Sequence, residues 1–167
     1  QDPISFELLD FVRNYALKHK IDAFDTFEKT GFFRHLVIRK AYHTNDLMVN
    51  LVCYFDDQDI IKDLYVKMMK RFPSITTFIV SINDQPNPTA TGRYQHVMHG
   101  PGHIEDHIGP YRFTIDPKAF FQTNTAQAEA LYSVVAKFAN IQNADIVYDL
   151  YCGVGTLTLF LSKYTSK

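Results

Sequence analysis

Cysteine is scarce, net charge is almost nil and long apolar runs are missing, and each absence narrows the field. The two cysteines, Cys53 and Cys152, are too few and too far apart for a zinc site. A formal net charge of -1 over 167 residues removes the simplest case for nucleic-acid binding, a strongly basic domain, while leaving room for a local basic patch. No stretch approaches the ~20 apolar residues that span a bilayer, so no membrane partner is expected. Gln1-Asp-Pro-Ile-Ser5 has neither the basic nor the apolar region of a signal peptide. Without that signal the thiols are expected to be reduced, and the location cytoplasmic. The chain does not begin with Met, and so reads as part of a longer protein. Internal repeats and low-complexity tracts are also missing.

What is present is an ordinary folded composition, 46% hydrophobic and 21% charged, enough for one domain or one domain plus part of another. Ile4, Leu8, Phe11 and Tyr15 recur at helical spacing over residues 4–19, with Asp2 to cap the helix and Pro3 at its first position. After the turn signal Thr30-Gly31, Phe32–Arg39 reads as a strand. Leu47, Val49, Leu51, Cys53 and Phe55 alternate as a half-buried strand should. With His43-Thr-Asn-Asp46 as turn material, the two predict an antiparallel hairpin. A helix follows over 58–71, its inner stripe Ile60, Ile61, Leu64 and Met68, and it stops before Pro73. Thr76–Asn83 reads as a strand closed by the proline loop Asp84–Pro88. His96–Met98 and His103–Ile115 supply a further hairpin around Gly109-Pro110.

A second region opens near Asp116-Pro117. Asn124 with Gln127 has the form of a capping box, ahead of a helical face of Leu131, Val134, Val135 and Phe138. Asp145–Leu150 reads as a short parallel strand, followed by a Gly-x-Gly turn and a helix from Thr156. The expected fold class is therefore α/β, with an α+β domain over 1–115 followed by the opening unit of a parallel α/β domain over 116–167. A single βα unit cannot cover both faces of a sheet, which again points to a piece of a longer protein.

The main chemical signal is a strand, then Asp149-Leu-Tyr-Cys-Gly153-Val-Gly155, then a helix. The two glycines permit a tight turn and a close approach of ligand to backbone, and the helix start offers free N–H groups. A dinucleotide fingerprint would carry a third glycine at position 158, where this chain has Thr158. That turns the reading away from a nicotinamide cofactor and towards a methyltransferase, which has no pyrophosphate to cradle. The bland alternative is a plain strand-to-helix turn. A second signal is Ile115-Asp-Pro-Lys-Ala-Phe-Phe-Gln122-Thr-Asn124. A Gln side chain both donates and accepts, and so suits an amino-acid carboxylate and ammonium. Its bland alternative is a loop with core phenylalanines and a capping Asn124.

Together, Phe-Phe-Gln-Thr-Asn and, some thirty residues on, Asp-Leu-Tyr-Cys-Gly-Val-Gly-Thr resemble the RNA uracil-C5 methyltransferase family, which makes 5-methyluridine in ribosomal and transfer RNA. Gly31-Phe-Phe-Arg-His-Leu-Val-Ile-Arg39 and Ala126-Gln-Ala-Glu129 extend the resemblance, which runs from about residue 30 to the end. It implies a Rossmann-like methyltransferase domain beginning in 116–167, S-adenosylmethionine as cofactor and RNA as partner, ribosomal RNA ahead of transfer RNA. It implies that Gln122 contacts the methionine part of the cofactor, that Tyr151, Gly153, Gly155 and Thr156 line the cofactor site, and that Phe120 and Phe121 form supporting wall. Family members use a cysteine nucleophile on uracil C6 and a carboxylate that removes the C5 proton. Both lie in later motifs, so catalytic residues are expected beyond residue 167 and this chain alone is expected to be inactive.

Other candidates stay modest. Cys53 reads as a buried inert thiol, and Cys152 as a small packing residue in the turn. His96, His99, His103 and His107 read as polar loop rather than metal ligands, and no metal is expected. Arg34, His35 and Arg39 are candidates for phosphate contact, but Arg34 and Arg39 fall on opposite strand faces unless a bulge intervenes. Two alternatives remain open: a methyltransferase acting on a small molecule or protein, and a non-catalytic RNA-binding module.

Overall fold

The computed structural model describes residues 2–85 and 89–165, in two compact units. The first is built from Gln1–Lys40 with Leu47–Ile104, the second from Ala41–Asp46 with Glu105–Lys167. Part of the expected proline loop, residues 86–88, lies outside the described residues.

In the first unit, helix α1 (Pro3–His19) starts as its sequence dictates. Asp2 accepts a hydrogen bond from the Ile4 amide, Pro3 takes the first turn, and Lys20 closes the helix in the left-handed region at φ 54. Strands β1 (Phe33–Lys40), β2 (Leu47–Cys53), β3 (Thr77–Ile82) and β4 (Tyr94–His99) form a sheet in that order. The β1–β2 pair is antiparallel, as the hairpin reading expected. Helix α2 (Gln58–Arg71) carries the chain over to β3, which pairs parallel with β2. The β4 strand, which contains the expected segment His96–Met98, pairs antiparallel with β3 and takes no part in the hairpin around Gly109-Pro110.

Every residue of β2 and β3 is buried, which corrects the half-buried reading of Leu47–Cys53. The reason is the parallel pair: strands joined by a crossover helix sit in the middle of a sheet and are covered on both sides. Val49, Leu51, Cys53, Phe78 and Val80 share one core with Leu8 of α1 and with Ile61, Leu64 and Met68 of α2. Truncating Leu8, Leu51, Ile61, Leu64 or Met68 to Ala would cost about 2–5 kcal/mol. The alternate positions Met48, Asn50 and Val52 are equally hidden. Asn50 is tolerated there because Ser81 Oγ donates to its Oδ1 at 2.8 Å, and Gln95 Nε2 donates to Ser81 Oγ at 3.2 Å.

In the second unit, β5 (Ile104–Ile108) and β6 (Tyr111–Ile115) form the expected hairpin, turning through Gly109 at φ 57. Helix α3 (Thr125–Ala139) is capped by Asn124, whose side chain accepts from the Gln127 amide at 3.1 Å. Helix α4 (Thr156–Ser162) follows the glycine turn. The core joins Ile108 and Phe113 to Ala128, Tyr132 and Ala136 of α3 and to Phe160 and Leu161 of α4.

Asp106, 1% exposed, ties this unit together. Its carboxylate accepts from the amides of Tyr42, His43 and His107 at 3.0, 2.9 and 2.9 Å and from the Thr125 hydroxyl at 2.7 Å. Burial alone would push its carboxyl up, but the three amides and the hydroxyl together hold it below the usual carboxylate range.

The strand expected at Asp145–Leu150 is not formed among the described residues. Ile146, Tyr148 and Leu150 are 62%, 80% and 83% exposed. A parallel strand needs ladder partners and cover on both faces, and no described residue supplies them here.

Candidate functional site

The residues from Asp149 to Thr158 make the most distinctive local structure of the second unit. Gly153 and Gly155 both adopt left-handed backbone, at φ 56 and φ 77, conformations that a side chain would strain. Gly155 is the N-cap of α4 and offers no side-chain cap. A Cβ added at either glycine would meet nothing within 4 Å. The glycines are therefore demanded by backbone conformation and not by internal crowding, and the surface before them is open. Inside the turn, the Gly155 amide donates to Cys152 O at 2.8 Å.

Asp149 grips the turn from both ends. Its Oδ1 accepts from the Tyr151 amide at 3.3 Å, and its Oδ2 accepts from Thr158 Oγ1 at 2.7 Å. Thr156 faces inward. It is buried, and its hydroxyl lies 2.7 Å from the Tyr132 hydroxyl of α3, so the group expected to line a ligand site is already engaged. Tyr151 is 97% exposed, its ring presented to solvent beside the glycines.

Gln122 lies in the segment between β6 and α3, exposed to solvent. The two phenylalanines before it part ways: Phe121 packs on Phe113, ring centroids 5.8 Å apart, whereas Phe120 is 74% exposed. Only Phe121 is therefore wall in the packing sense. Helix α3 is the element common to both motifs. The Gln122 segment leads into its capped start, and Tyr132 further along holds α4.

The remaining candidates separate by physics. Cys53 is buried in the core, and burial pushes its thiol far above the usual range, with the Asp56 charge adding to the shift. It stays protonated and unreactive. Cys152 is exposed. Arg34 sits at an irregularity of β1, the bulge between Phe33 and His35. Its guanidinium lies over the Phe24 ring at 4.3 Å and donates to Asn83 O at 2.7 Å and Gln85 O at 2.6 Å. It braces a loop of the first unit and does not present its charge outward. Burial, then the Arg34 charge, holds the His35 imidazole below its usual value and so neutral at pH near 7. His96 meets Asp56 at 3.4 Å. Among the described residues no group of His, Cys, Asp and Glu is placed to hold a metal ion, and no helix is long and apolar enough to cross a membrane.

Sequence reasoning used Thr158 only to exclude a third glycine, and it left Asp149 and Tyr132 without roles. The Asp at the head of the glycine motif and the Thr nine residues on were visible signals. Tyr132 was not, since an interior Tyr in a helix gives no sign of what its hydroxyl meets.

No protein-family model matches the chain. Curated relatives do. A protein of Oceanobacillus iheyensis named as an uncharacterized RNA methyltransferase is 36% identical over 171 residues, matching 100% of the chain and 36% of its own length. A Bacteroides thetaiotaomicron protein of the same name is 34% identical over 98% of the chain and 36% of its own length. One from Clostridium acetobutylicum is 32% identical, again over 100% of the chain and 36% of its own length. The chain is homologous to these RNA methyltransferases. It spans about a third of the length of each, 36%, so the homology covers a segment of them.

Among solved structures, the chain superposes on the Pyrococcus abyssi tRNA (uracil-54, C5)-methyltransferase, a protein crystallised with S-adenosyl-L-homocysteine. The TM-score is 0.70 at 23% identity, over 94% of this chain and 36% of the other. At that identity the likeness establishes the shared mixed α/β fold.

Proposed function

We propose that the chain is a segment of an S-adenosylmethionine-dependent RNA methyltransferase that transfers a methyl group to C5 of uridine, with ribosomal RNA the first candidate substrate and transfer RNA the second. The observation that carries this reading is the turn itself: two left-handed glycines with open space before them, beside an exposed Tyr151 and held by Asp149. The RNA methyltransferase names of the relatives support the reaction class, and the uracil-modifying neighbour supports the target base.

On this reading residues 116–167 begin the cofactor domain and residues 1–115 form the domain before it. Gly153, Gly155 and Tyr151 would hold the nucleoside side of the cofactor, Thr156 would shape the floor from within, and Gln122 would reach the methionine portion. The open face at the glycines fits a group that must approach the backbone closely. S-adenosylmethionine supplies an electrophilic methyl on a sulfonium. The nucleophilic cysteine and the base are assigned to residues beyond 167, so the 167-residue chain binds cofactor without turning it over.

Calorimetric titration of the full chain with S-adenosylmethionine tests the site. Wild type is expected to bind, and Gln122→Ala to bind about tenfold more weakly, the scale of one lost hydrogen bond to a charged group. Equal affinities would remove Gln122 from the site, and no binding by wild type would remove the cofactor reading. Methyl transfer to a uracil-containing RNA by this chain would show that its catalytic residues do not lie beyond 167.

A further inference from the structure

The stretch from Leu150 to Gly155 has little to fix its shape from outside. Its glycines touch nothing where a side chain would be, its apolar residues Leu150, Tyr151 and Val154 are exposed, and the helix that follows starts without a side-chain cap. Glycines in such a segment carry the largest conformational entropy to lose. Yet one carboxylate spans it. Asp149, immediately before the stretch, receives the Tyr151 amide on one oxygen and the Thr158 hydroxyl on the other, the second bond only 2.7 Å long. Thr158 lies in the first turn of α4, nine residues on.

We infer that Thr158 is a positioning residue for the glycine turn, acting through Asp149. The hydroxyl fixes the rotamer of the carboxylate. The fixed carboxylate holds the Tyr151 amide, and with it the direction in which the Tyr151 ring and the following glycines face. A hydroxyl donating to a charged acceptor is stronger than a neutral pair, and here it closes a loop whose own backbone supplies one internal bond, Gly155 to Cys152. The position is also the one at which a dinucleotide fingerprint needs glycine to bring helix and strand into close packing. Here residues 145–150 form no strand, and a side-chain brace from Thr158 to Asp149 stands where that packing would be. The consequence for ligand binding rests on the cofactor reading above; the brace itself does not.

Two variants separate the hydroxyl from the bulk of the side chain. Thr158→Val keeps the shape and removes the donor, while Thr158→Ser keeps the donor. Amide hydrogen exchange is followed by NMR in the full chain at Tyr151 and Gly155, with amides in the middle of α3 as reference. Thr158→Val is expected to speed exchange at both turn amides about tenfold, the scale of a lost charge-assisted bond, with Thr158→Ser within about twofold of wild type. Unchanged turn amides in the Val variant overturn the proposal. So does equal loosening by Ser, or loosening of α3 in parallel, since the brace is local. Titration with S-adenosyl-L-homocysteine then reads the ligand side. Affinity should fall about tenfold in Val and be restored in Ser; a loosened turn with unchanged affinity would show that the brace does not position the ligand. Failure of wild type to bind would count against the cofactor reading, and the exchange data would still decide the brace.

Discussion

The Tyr132 hydroxyl on α3 stands 2.7 Å from Thr156 Oγ1 on α4, in a buried setting that also brings the Tyr132 and Phe160 rings to 5.7 Å. This pair joins the two helices that flank the glycine turn. Tyr132→Phe keeps the ring contact and leaves the Thr156 hydroxyl buried without its partner, at a cost of about 1–2 kcal/mol. Exchange of the Phe160 and Leu161 amides should rise about 5–30-fold, the equivalent of that cost. Rates equal to wild type would show that the pair adds nothing to stability.

Asp106 predicts an acid limit for the second unit. Its folded-state carboxyl is held below the ordinary value of 3.8. A depressed acid stabilises the fold above its unfolded pKa, and that contribution is lost as pH falls through the folded value. The second unit should therefore keep this stabilisation at neutral pH and lose it in the region below 3.8. Asp106→Asn puts an NH2 among three backbone donors and should cost about 2–4 kcal/mol at neutral pH, on the scale of unsatisfied groups around a buried charge. It should also flatten the acid dependence. Urea unfolding read by probes in the second unit, over a pH series, checks both. Asp2, Asp25 and Asp63 are lowered too but belong to the first unit. An acid slope in Asp106→Asn equal to that of wild type would refute the assignment.

Gly153 separates folding from binding. Alanine there must adopt φ 56, at a cost of about 1–2 kcal/mol, but its methyl meets no neighbour. The expected result is a modest fall in the melting temperature of the second unit, with affinity for S-adenosyl-L-homocysteine lowered more than about tenfold by the methyl standing where the ligand approaches. Loss of binding in strict proportion to loss of fold would argue that the open face is not the ligand face.

Arg34 tests which charges meet RNA. Its guanidinium already donates to Asn83 O and Gln85 O and stacks on Phe24. Arg34→Ala should destabilise the first unit while leaving the slope of log affinity against log salt unchanged in RNA titrations of this chain. Loss of a phosphate contact would instead reduce that slope by about one.

The helices were the most legible parts of the sequence. Asp2 and Pro3 fixed the start of α1, and the stripe Ile61, Leu64 and Met68 marked α2 from 58 to 71. These signals are local, set by caps and a 3.6-residue period. The strands were read less well because burial depends on neighbours. The alternation of Leu47, Val49 and Leu51 described one face of β2, while Met48 and Val52 fill the other. Asp145–Leu150 has a strand's composition and no ladder. The Asp106 cluster was invisible for a different reason: its partners Tyr42 and His43 lie 64 and 63 residues away in sequence. At the site, the glycines and Thr158 were legible as a pattern, whereas the engagement of Thr156 by Tyr132 is a tertiary fact.

The second unit takes in six residues, Ala41–Asp46, from the turn that joins β1 to β2. Two of Asp106's donors come from that turn. A C-terminal fragment made by cutting the chain once between β2 and β5 would therefore inherit the buried carboxylate without the amides of Tyr42 and His43. Such a piece would start life with a desolvated anion short of half its partners. The modular boundary is thus not a boundary of inheritance: the six-residue turn must travel with the rest of the second unit, and length changes within it would register in a hydrogen-bond cluster far along the polypeptide.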